Sequence, residues 1–160
     1  MENWQKQIRD KKKFRPNVAI IVMDSRGRIL VGKRRQEGRA SQVGAWQLPQ
    51  GGINKGESPL EAMYRELAEE TGLTKVSVVQ NAGPFKYQFP LWALKPGNKW
   101  TGQEQIWFLT HIKNSRDKVV KESEEFTEFK WVKPSWMVQR AISFKRPVYR
   151  KAFKSFGLSE

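Results

Sequence analysis

Apolar residues along the chain fall into short blocks, most of them spaced as strands and a few as helices. Val18–Met23 is an unbroken apolar run that reads as a strand. It is followed by the turn residues Asp24-Ser25-Arg26-Gly27 and a second strand, Ile29–Gly32. Arg35–Gly44 is polar with two glycines and reads as a flexible loop. Trp46–Leu48 is a short strand running into Pro49-Gln50-Gly51-Gly52. The period then becomes helical. Ser58 suits an N-cap, Pro59 the first turn, and Glu61 completes a capping box three residues after the cap. Leu60, Met63 and Leu67 follow at helical spacing until Gly72 ends the helix, which spans about Pro59 to Thr71. Val76–Val79, Phe85–Phe89, Ile106–Ile112 and Phe129–Val132 read as further strands, Ser135–Ile142 and Val148–Phe156 as helices. Residues 1–14 form a basic arm, within which Trp4 and Ile8 lie one helical turn apart. Strands interspersed with a few helices predict an α/β chain with a mixed sheet and helices on its faces. At 160 residues, the expectation is one domain over 1–160.

Composition narrows the chemistry. No cysteine is present, which removes thiolate nucleophiles, disulfides and cysteine zinc sites and fits a cytoplasmic location. The single histidine, His111, lies in an apolar stretch and reads as a strand residue, so histidine triads and multi-histidine metal sites are set aside. No apolar run reaches the ~20 residues of a membrane span, and the first residues lack the apolar core of a secretory signal. The remaining chemistry belongs to carboxylates, hydroxyls, cations and a hard metal. With 30 Lys and Arg against 16 Asp and Glu, the net charge of +14 favours polyanionic partners.

Gly51–Leu73 carries the chemical signal. Glu66, Glu69 and Glu70 stand at i, i+3 and i+4, so they project from one helix face. Like charges at that spacing destabilise a helix by a few tenths of a kcal/mol per pair, and a bound cation would offset them. Mg²⁺, with its preference for oxygen ligands and retained waters, suits such a face; a solvated acidic surface is the alternative reading. A further carboxylate could come from Glu122, Glu124, Glu125 or Glu128.

The flanking residues decide between these readings. Gly51, Glu57, Arg65, Glu66, Leu67, Glu69, Glu70, Gly72 and Leu73 fill every fixed place of the pattern G-x5-E-x7-R-E-U-x-E-E-x-G-U, with U aliphatic. Seven fixed polar or glycine places at roughly 7% usage each give a chance match on the order of 10⁻⁸ per start. The segment resembles the box of the Nudix hydrolase family. The resemblance implies an α/β/α sandwich with a loop–helix–loop metal site that hydrolyses a phosphoanhydride bond. It implies Glu66, Glu69 and Glu70 as metal ligands with Mg²⁺ as the ion and Mn²⁺ as a substitute. It pairs Glu57 with Arg65 as a brace for the loop and has Gly51 and Gly52 allow a tight backbone turn.

The likeness extends from Phe14 to Phe156. It is carried by Phe14–Val18, Trp46–Gly52, Gly102–Phe108 and Ser143–Tyr149, and resembles two sister groups. One is the bacterial RNA pyrophosphohydrolases, which convert the 5′-triphosphate end of RNA to a monophosphate and so promote RNA decay. The other is the asymmetric dinucleoside tetraphosphate hydrolases. The resemblance implies that Arg15 and Lys145 contact phosphates, that Arg34 and Phe144 flank a base, that Gln47 and Gly51 touch the substrate, and that Glu125 is a fourth metal ligand. The loop Arg35–Gly44 and the segment before Arg15 are longer than in the best-known RNA members. In its own right, Phe144 beside Lys145 and Arg146 joins an aromatic face to phosphate-seeking cations. Arg34 can stack on a base as a planar cation. The expected substrate is therefore a 5′-triphosphate RNA, with a dinucleoside polyphosphate such as diadenosine tetraphosphate as the alternative. The positive charge favours the longer polyanion.

Overall fold

The computed structural model describes residues 3–35, 45–94, 96–113 and 118–158, apart from the side chains of residues 5, 8 and 9. In chain order these residues form α1 (Asn3–Asp10), β1 (Phe14–Met23), β2 (Ile29–Arg34), β3 (Trp46–Gln47), β4 (Gln50–Gly52) and α2 (Pro59–Thr71). β5 (Val76–Gln88), a one-turn 3-10 helix at Leu91–Ala93, β6 (Gly102–Ile112), β7 (Phe126–Val132), α3 (Pro134–Arg140) and α4 (Arg146–Ser155) follow. Seven strands make one mixed sheet in the order β3-β2-β1-β6-β5, with β4 pairing β1 and β7 pairing β2. β1 and β6 run parallel, and the other pairs are antiparallel.

β1 is central because it is apolar on both faces. Val18, Ile20 and Val22 turn to one side and pack with Ala62, Met63 and Leu67 of α2. Ala19 and Ile21 turn to the other and pack with Met137 and Val138 of α3 and with Tyr149 and Phe153 of α4. A strand covered on both faces reads as a continuous apolar run rather than an alternating one. The result is the expected sandwich, with α2 on one face and α3 and α4 on the other. On the second face Trp107 meets Tyr149 edge to face at 5.2 Å, and the Tyr149 hydroxyl accepts the Leu48 N–H at 3.2 Å.

α2 starts and stops where its caps dictate. Ser58 Oγ accepts the Glu61 N–H at 3.1 Å, Pro59 fills the first turn, and the Gly72 N–H bonds Ala68 O. Leu60 departs from the expected apolar stripe: it is 45% exposed, whereas Met63 and Leu67 are fully buried. The two strands expected over 76–89 are one, β5, whose register against β6 shifts at Val78/Gln80 and again at Ala82/Phe85. The extra residues break the alternation and bulge out without ending the pairing. The stretch read as an arm contains α1, with Trp4 half-buried. The side chain of Ile8, one helical turn from Trp4, and most of the loop 35–44 lie outside the described side chains and residues. Among the described residues, no helix is long and apolar enough to cross a membrane.

Met63→Ala should cost about 2–5 kcal/mol of stability, the range for deleting a large buried side chain that leaves a cavity. Leu60→Ala should cost less than about 1 kcal/mol despite sharing the sequence pattern. Chemical denaturation of the two variants checks this contrast; equal losses would show that Leu60 is part of the core.

Candidate active site

β4 brings the turn before α2 against the helix itself. Gly51 pairs with Val18 and Gly52 with Asn17 on β1, so both glycines are squeezed between the sheet and α2. A Cβ on Gly51 would lie 1.9 Å from the Glu66 carboxyl carbon, and one on Gly52 would lie 2.3 Å from Arg15 Nη2. Only a residue without a side chain lets the backbone approach that closely.

Arg65 fastens the loop to the helix. Its Nε and Nη2 donate to the two oxygens of Glu57 at 2.7 and 2.9 Å, and Nη2 also donates to the Gly52 carbonyl at 2.8 Å. Nη1 donates to Glu66 at 2.8 Å and reaches Glu69 at 3.4 Å. Glu57 in turn accepts the Asn54 N–H at 3.0 Å. The Arg65 bond and then the Asn54 N–H hold the Glu57 carboxyl down at about 2. The brace inferred from the sequence is present, and it extends to two of the three clustered glutamates.

A cleft of about 460 Å³ opens beside this brace. Glu66, Glu70 and Glu125 line it together with Arg15, Arg34 and Lys145, and with Gln47, Gly51 and Gly52. Of the residues expected from the sequence, Arg15, Arg34, Gln47, Gly51, Glu66, Glu70, Glu125 and Lys145 therefore meet in one space. Glu69 faces an adjoining groove together with Glu66, Glu70, Glu122, Glu124 and Glu125. The two spaces share Glu66, Glu70 and Glu125 as a carboxylate ridge. Glu128 lies away from the ridge, 3.7 Å from Lys33. Phe144 does not line the cleft. It is half-buried behind Tyr87, with ring centres 6.0 Å apart, because it packs onto the α3–α4 side of the core. Lys145 is buried, with Nζ 3.3 Å from Gln47 Oε1.

Several cleft residues escaped the sequence reading. Gln105 donates through Nε2 to Asn17 at 2.9 Å and to Gln50 at 3.0 Å, and Tyr87 donates to Gln103. These amides form a polar floor assembled from three strands. In the sequence they lie within Phe14–Val18, Trp46–Gly52 and Gly102–Phe108, segments that carry the family resemblance but gave these residues no role, and the alternation of Gln103 and Gln105 in β6 places both on one face. Arg35 was also missed. Its N–H donates to the Glu125 carbonyl at 2.9 Å, and its guanidinium donates to the Ser123 carbonyl at 2.7 Å, so it staples down the loop that carries Glu125.

The ridge carboxylates are buried close to one another, and Arg65 and Arg34 offset only part of the cost. Burial pushes the Glu70 carboxyl up to about 9 against the single Gln50 N–H that it accepts, and Glu66 and Glu125 add repulsion. Burial likewise raises Glu66, more than its bond to Arg65 lowers it. Among the described residues, no three carboxylates already converge at metal-ligand spacing, since Arg65 Nη1 reaches both Glu66 and Glu69. All the donors are oxygens, and the ridge needs positive charge. That combination suits a hard divalent cation, not a soft metal.

Arg65→Ala should lower both the melting temperature and turnover, because it frees the loop as well as the ridge. Arg65→Lys should not restore them, since an ammonium cannot reproduce the fork. The pH dependence has a definite sign. Glu57 has a depressed folded-state value, so its contribution to stability is complete above about 4.5 and is lost as pH falls toward about 2. Thermal melts from pH 6 to 2 should show a smaller acid-dependent loss in Glu57→Gln than in the parent protein; superimposable slopes would contradict the brace.

The NUDIX domain family matches residues 13–152. Nudix hydrolase 25 of Arabidopsis thaliana is 36% identical over 160 residues, covering 90% of this chain and 86% of the relative. The RNA pyrophosphohydrolase of Aliivibrio fischeri is 42% identical over 155 residues, covering 91% and 86%. Among solved structures, the MutT protein of Methanosarcina mazei superposes with a TM-score of 0.66 at 24% identity, over 91% of this chain and 97% of that one, and speaks for the fold alone. With a family match across most of its length, and with relatives at this identity over nine-tenths of it, the chain belongs to the Nudix hydrolases as a pyrophosphohydrolase acting on phosphoanhydride bonds.

Proposed function

We propose that the protein is a Mg²⁺-dependent RNA 5′-pyrophosphohydrolase, cutting the triphosphate end of an RNA to a monophosphate. The observation that carries this reading is the joining of a carboxylate ridge to three cations in one cleft. A triphosphate bound there has its charge matched by Arg15, Arg34 and Lys145, while its reacting phosphate faces Glu66 and Glu70. The 42% identity to a protein named RNA pyrophosphohydrolase and the +14 net charge both favour an RNA end over a small dinucleotide.

Glu66, Glu69, Glu70 and Glu125 would hold the metal, with Mn²⁺ as a substitute for Mg²⁺. When bound, the ion polarises phosphoryl oxygens and lowers the pKa of a coordinated water. The remaining work falls to the chain. Arg15, seated on Gly52, and Lys145, held by Gln47, orient the phosphates for in-line attack by water. Arg34 shares Glu125 at 3.8 Å and so connects the substrate cations to the ridge. Asn17, Gln50 and Gln103, which line the cleft, offer hydrogen bonds without adding charge. Attack breaks one anhydride bond, pyrophosphate departs, and the proton from the water passes to a ridge carboxylate.

Glu70→Gln preserves shape but removes one charge from the ridge, and should lower turnover at least ~100-fold with the fold intact. The substrate is tested by comparing kcat/KM on a short triphosphate-ended RNA and on diadenosine tetraphosphate, both with Mg²⁺. The RNA should be preferred; a clear preference for the dinucleotide would replace the RNA reading with the dinucleoside polyphosphate one.

A further inference from the structure

The amide side chains Asn17, Gln47, Gln50 and Gln103 line the cleft, and a protein donor occupies the oxygen of each. Lys145 Nζ meets Gln47 Oε1 at 3.3 Å. Gln105 Nε2 donates to Asn17 Oδ1 at 2.9 Å and to Gln50 Oε1 at 3.0 Å. Gln103 Oε1 accepts the Tyr87 hydroxyl, and Gln105 Nε2 lies 3.4 Å from the same oxygen. A side-chain amide is planar, with its acceptor on one arm and its two donors on the other. Holding the oxygen against one partner therefore decides where the NH2 group can go.

Gln105 is the hub of this arrangement. It is 1% exposed and stands in register with Asn17 across the parallel pair β1 and β6. Its own Oε1 is buried and has no hydrogen-bond partner among the described residues. Buried amides ordinarily satisfy both ends. Here the acceptor end is left out, while the donor end goes to the oxygens of its neighbours. Lys145 acts in the same sense at Gln47, because an ammonium donates and has no lone pair to accept with.

We infer that Gln105, assisted by Tyr87, is a positioning residue that sets the polarity of the cleft floor, holding the amides of Asn17, Gln50 and Gln103 with their NH2 donors toward the substrate phosphates. This rests on the reading of the cleft as a polyphosphate site. Phosphate oxygens only accept, so carbonyls turned into the cleft would repel them. Left free, the amides would turn those carbonyls toward Arg15, Arg34 and Lys145 in the empty cleft, and each would have to turn back as substrate arrived. Fixing them beforehand removes that cost from binding. Amide donors also hold an anion without adding a cation that would repel a metal at the carboxylate ridge.

Three variants separate polarity from packing. Gln105→Met keeps length but has no donor, so it releases Asn17 and Gln50. Gln105→Glu keeps shape, but its ionised carboxylate accepts only, so the amides turn their NH2 groups to it and their carbonyls into the cleft. Tyr87→Phe deletes the hydroxyl that holds Gln103 and leaves the ring in place. The readouts are kcat and KM on the preferred substrate with Mg²⁺, and Ki for inorganic triphosphate, which carries no base or sugar; thermal melts confirm folding. Gln105→Met and Tyr87→Phe should each raise KM and Ki by about 2- to 10-fold, the worth of one ordinary hydrogen bond. Their kcat should change less, because contacts to phosphates bind ground state and transition state alike. Gln105→Glu should raise Ki at least ~10-fold. Its Ki relative to the parent should climb further from about pH 6 to about pH 9, as the buried carboxyl loses its only donor. Gln105→Glu binding triphosphate as well as the parent, or better than Gln105→Met, would make Gln105 an acceptor and overturn the proposal. A fall in kcat with Ki unchanged would mark a merely structural role and overturn it too. If the Gln105 variants do not fold, Tyr87→Phe decides. Failure of triphosphate to inhibit the parent sinks the polyphosphate reading and the donor floor with it; inhibition that is equal in the parent and all three variants sinks the floor alone.

Discussion

The site depends on one guanidinium serving two elements at once. Arg65 sits on α2, yet half of its side-chain hydrogen bonds leave the helix, going to Glu57 and to the Gly52 carbonyl. A planar fork with five donors can satisfy a carboxylate bidentately and still have donors left for a carbonyl and a second carboxylate. The same nitrogen that reaches Glu66 also lies within 3.4 Å of Glu69, so the brace holds two of the three clustered glutamates. The 1.9 Å separation that a Gly51 Cβ would have from Glu66 shows how tightly loop and helix are drawn together. Surface ion pairs ordinarily contribute little. This one matters because it fixes geometry, whatever it adds to stability.

Charge is segregated with a similar economy. A chain of net +14 places several of its few acidic residues around one ridge and rings the neighbouring cleft with cations. Alone, a polyphosphate would be repelled by the ridge, and a metal ion would be repelled by Arg15, Arg34 and Lys145. Each ligand, if bound as proposed, would cancel the charge that opposes the other, so metal and phosphate would favour each other's binding. Arg34 and Glu125, 3.8 Å apart, stand at the seam between the two charged walls. Burial pushes the Glu70 carboxyl up to about 9, with Glu66 and Glu125 adding to the shift.

What could be read in the sequence was whatever is encoded locally. The caps of α2 and the spacing of Glu66, Glu69 and Glu70 lie within one short segment, where helical period and cap chemistry leave little freedom; the pairing of Arg65 with Glu57 followed only from that segment's resemblance to the family. The Asn17–Gln50–Gln105 floor was illegible because its members come from three strands and meet only through register. Phe144 read as a free aromatic next to a lysine, but nothing local says that Tyr87 occupies one of its sides. The break in β5 has the same origin. A bulge disrupts alternation, and the pattern alone cannot distinguish it from a turn. The helix in the basic segment before β1 was visible only as the spacing of Trp4 and Ile8, too short a signal to outweigh its polar composition.

Register links these observations to the fold. β1 leaves the core at its N-terminal end, where its residues pass from buried Val18 to exposed Pro16 and Arg15. Its parallel partner β6 sets Gln103 beside Arg15 and Gln105 beside Asn17, while β4 sets Gly52 beside Asn17 from the other edge. Because side chains alternate along a strand, a slip of one residue would replace Gln103 and Gln105 on that face by Glu104 and Ile106. The cleft floor would then hold an extra carboxylate against the phosphates and an apolar side chain where amides now bond. The same slip would turn Trp107, fully buried against Tyr149, toward α2 and leave the α3–α4 face without its largest side chain. The packing of the core thus enforces the register that the cleft requires, so the chemistry at the end of β1 is protected by the apolar residues in its middle.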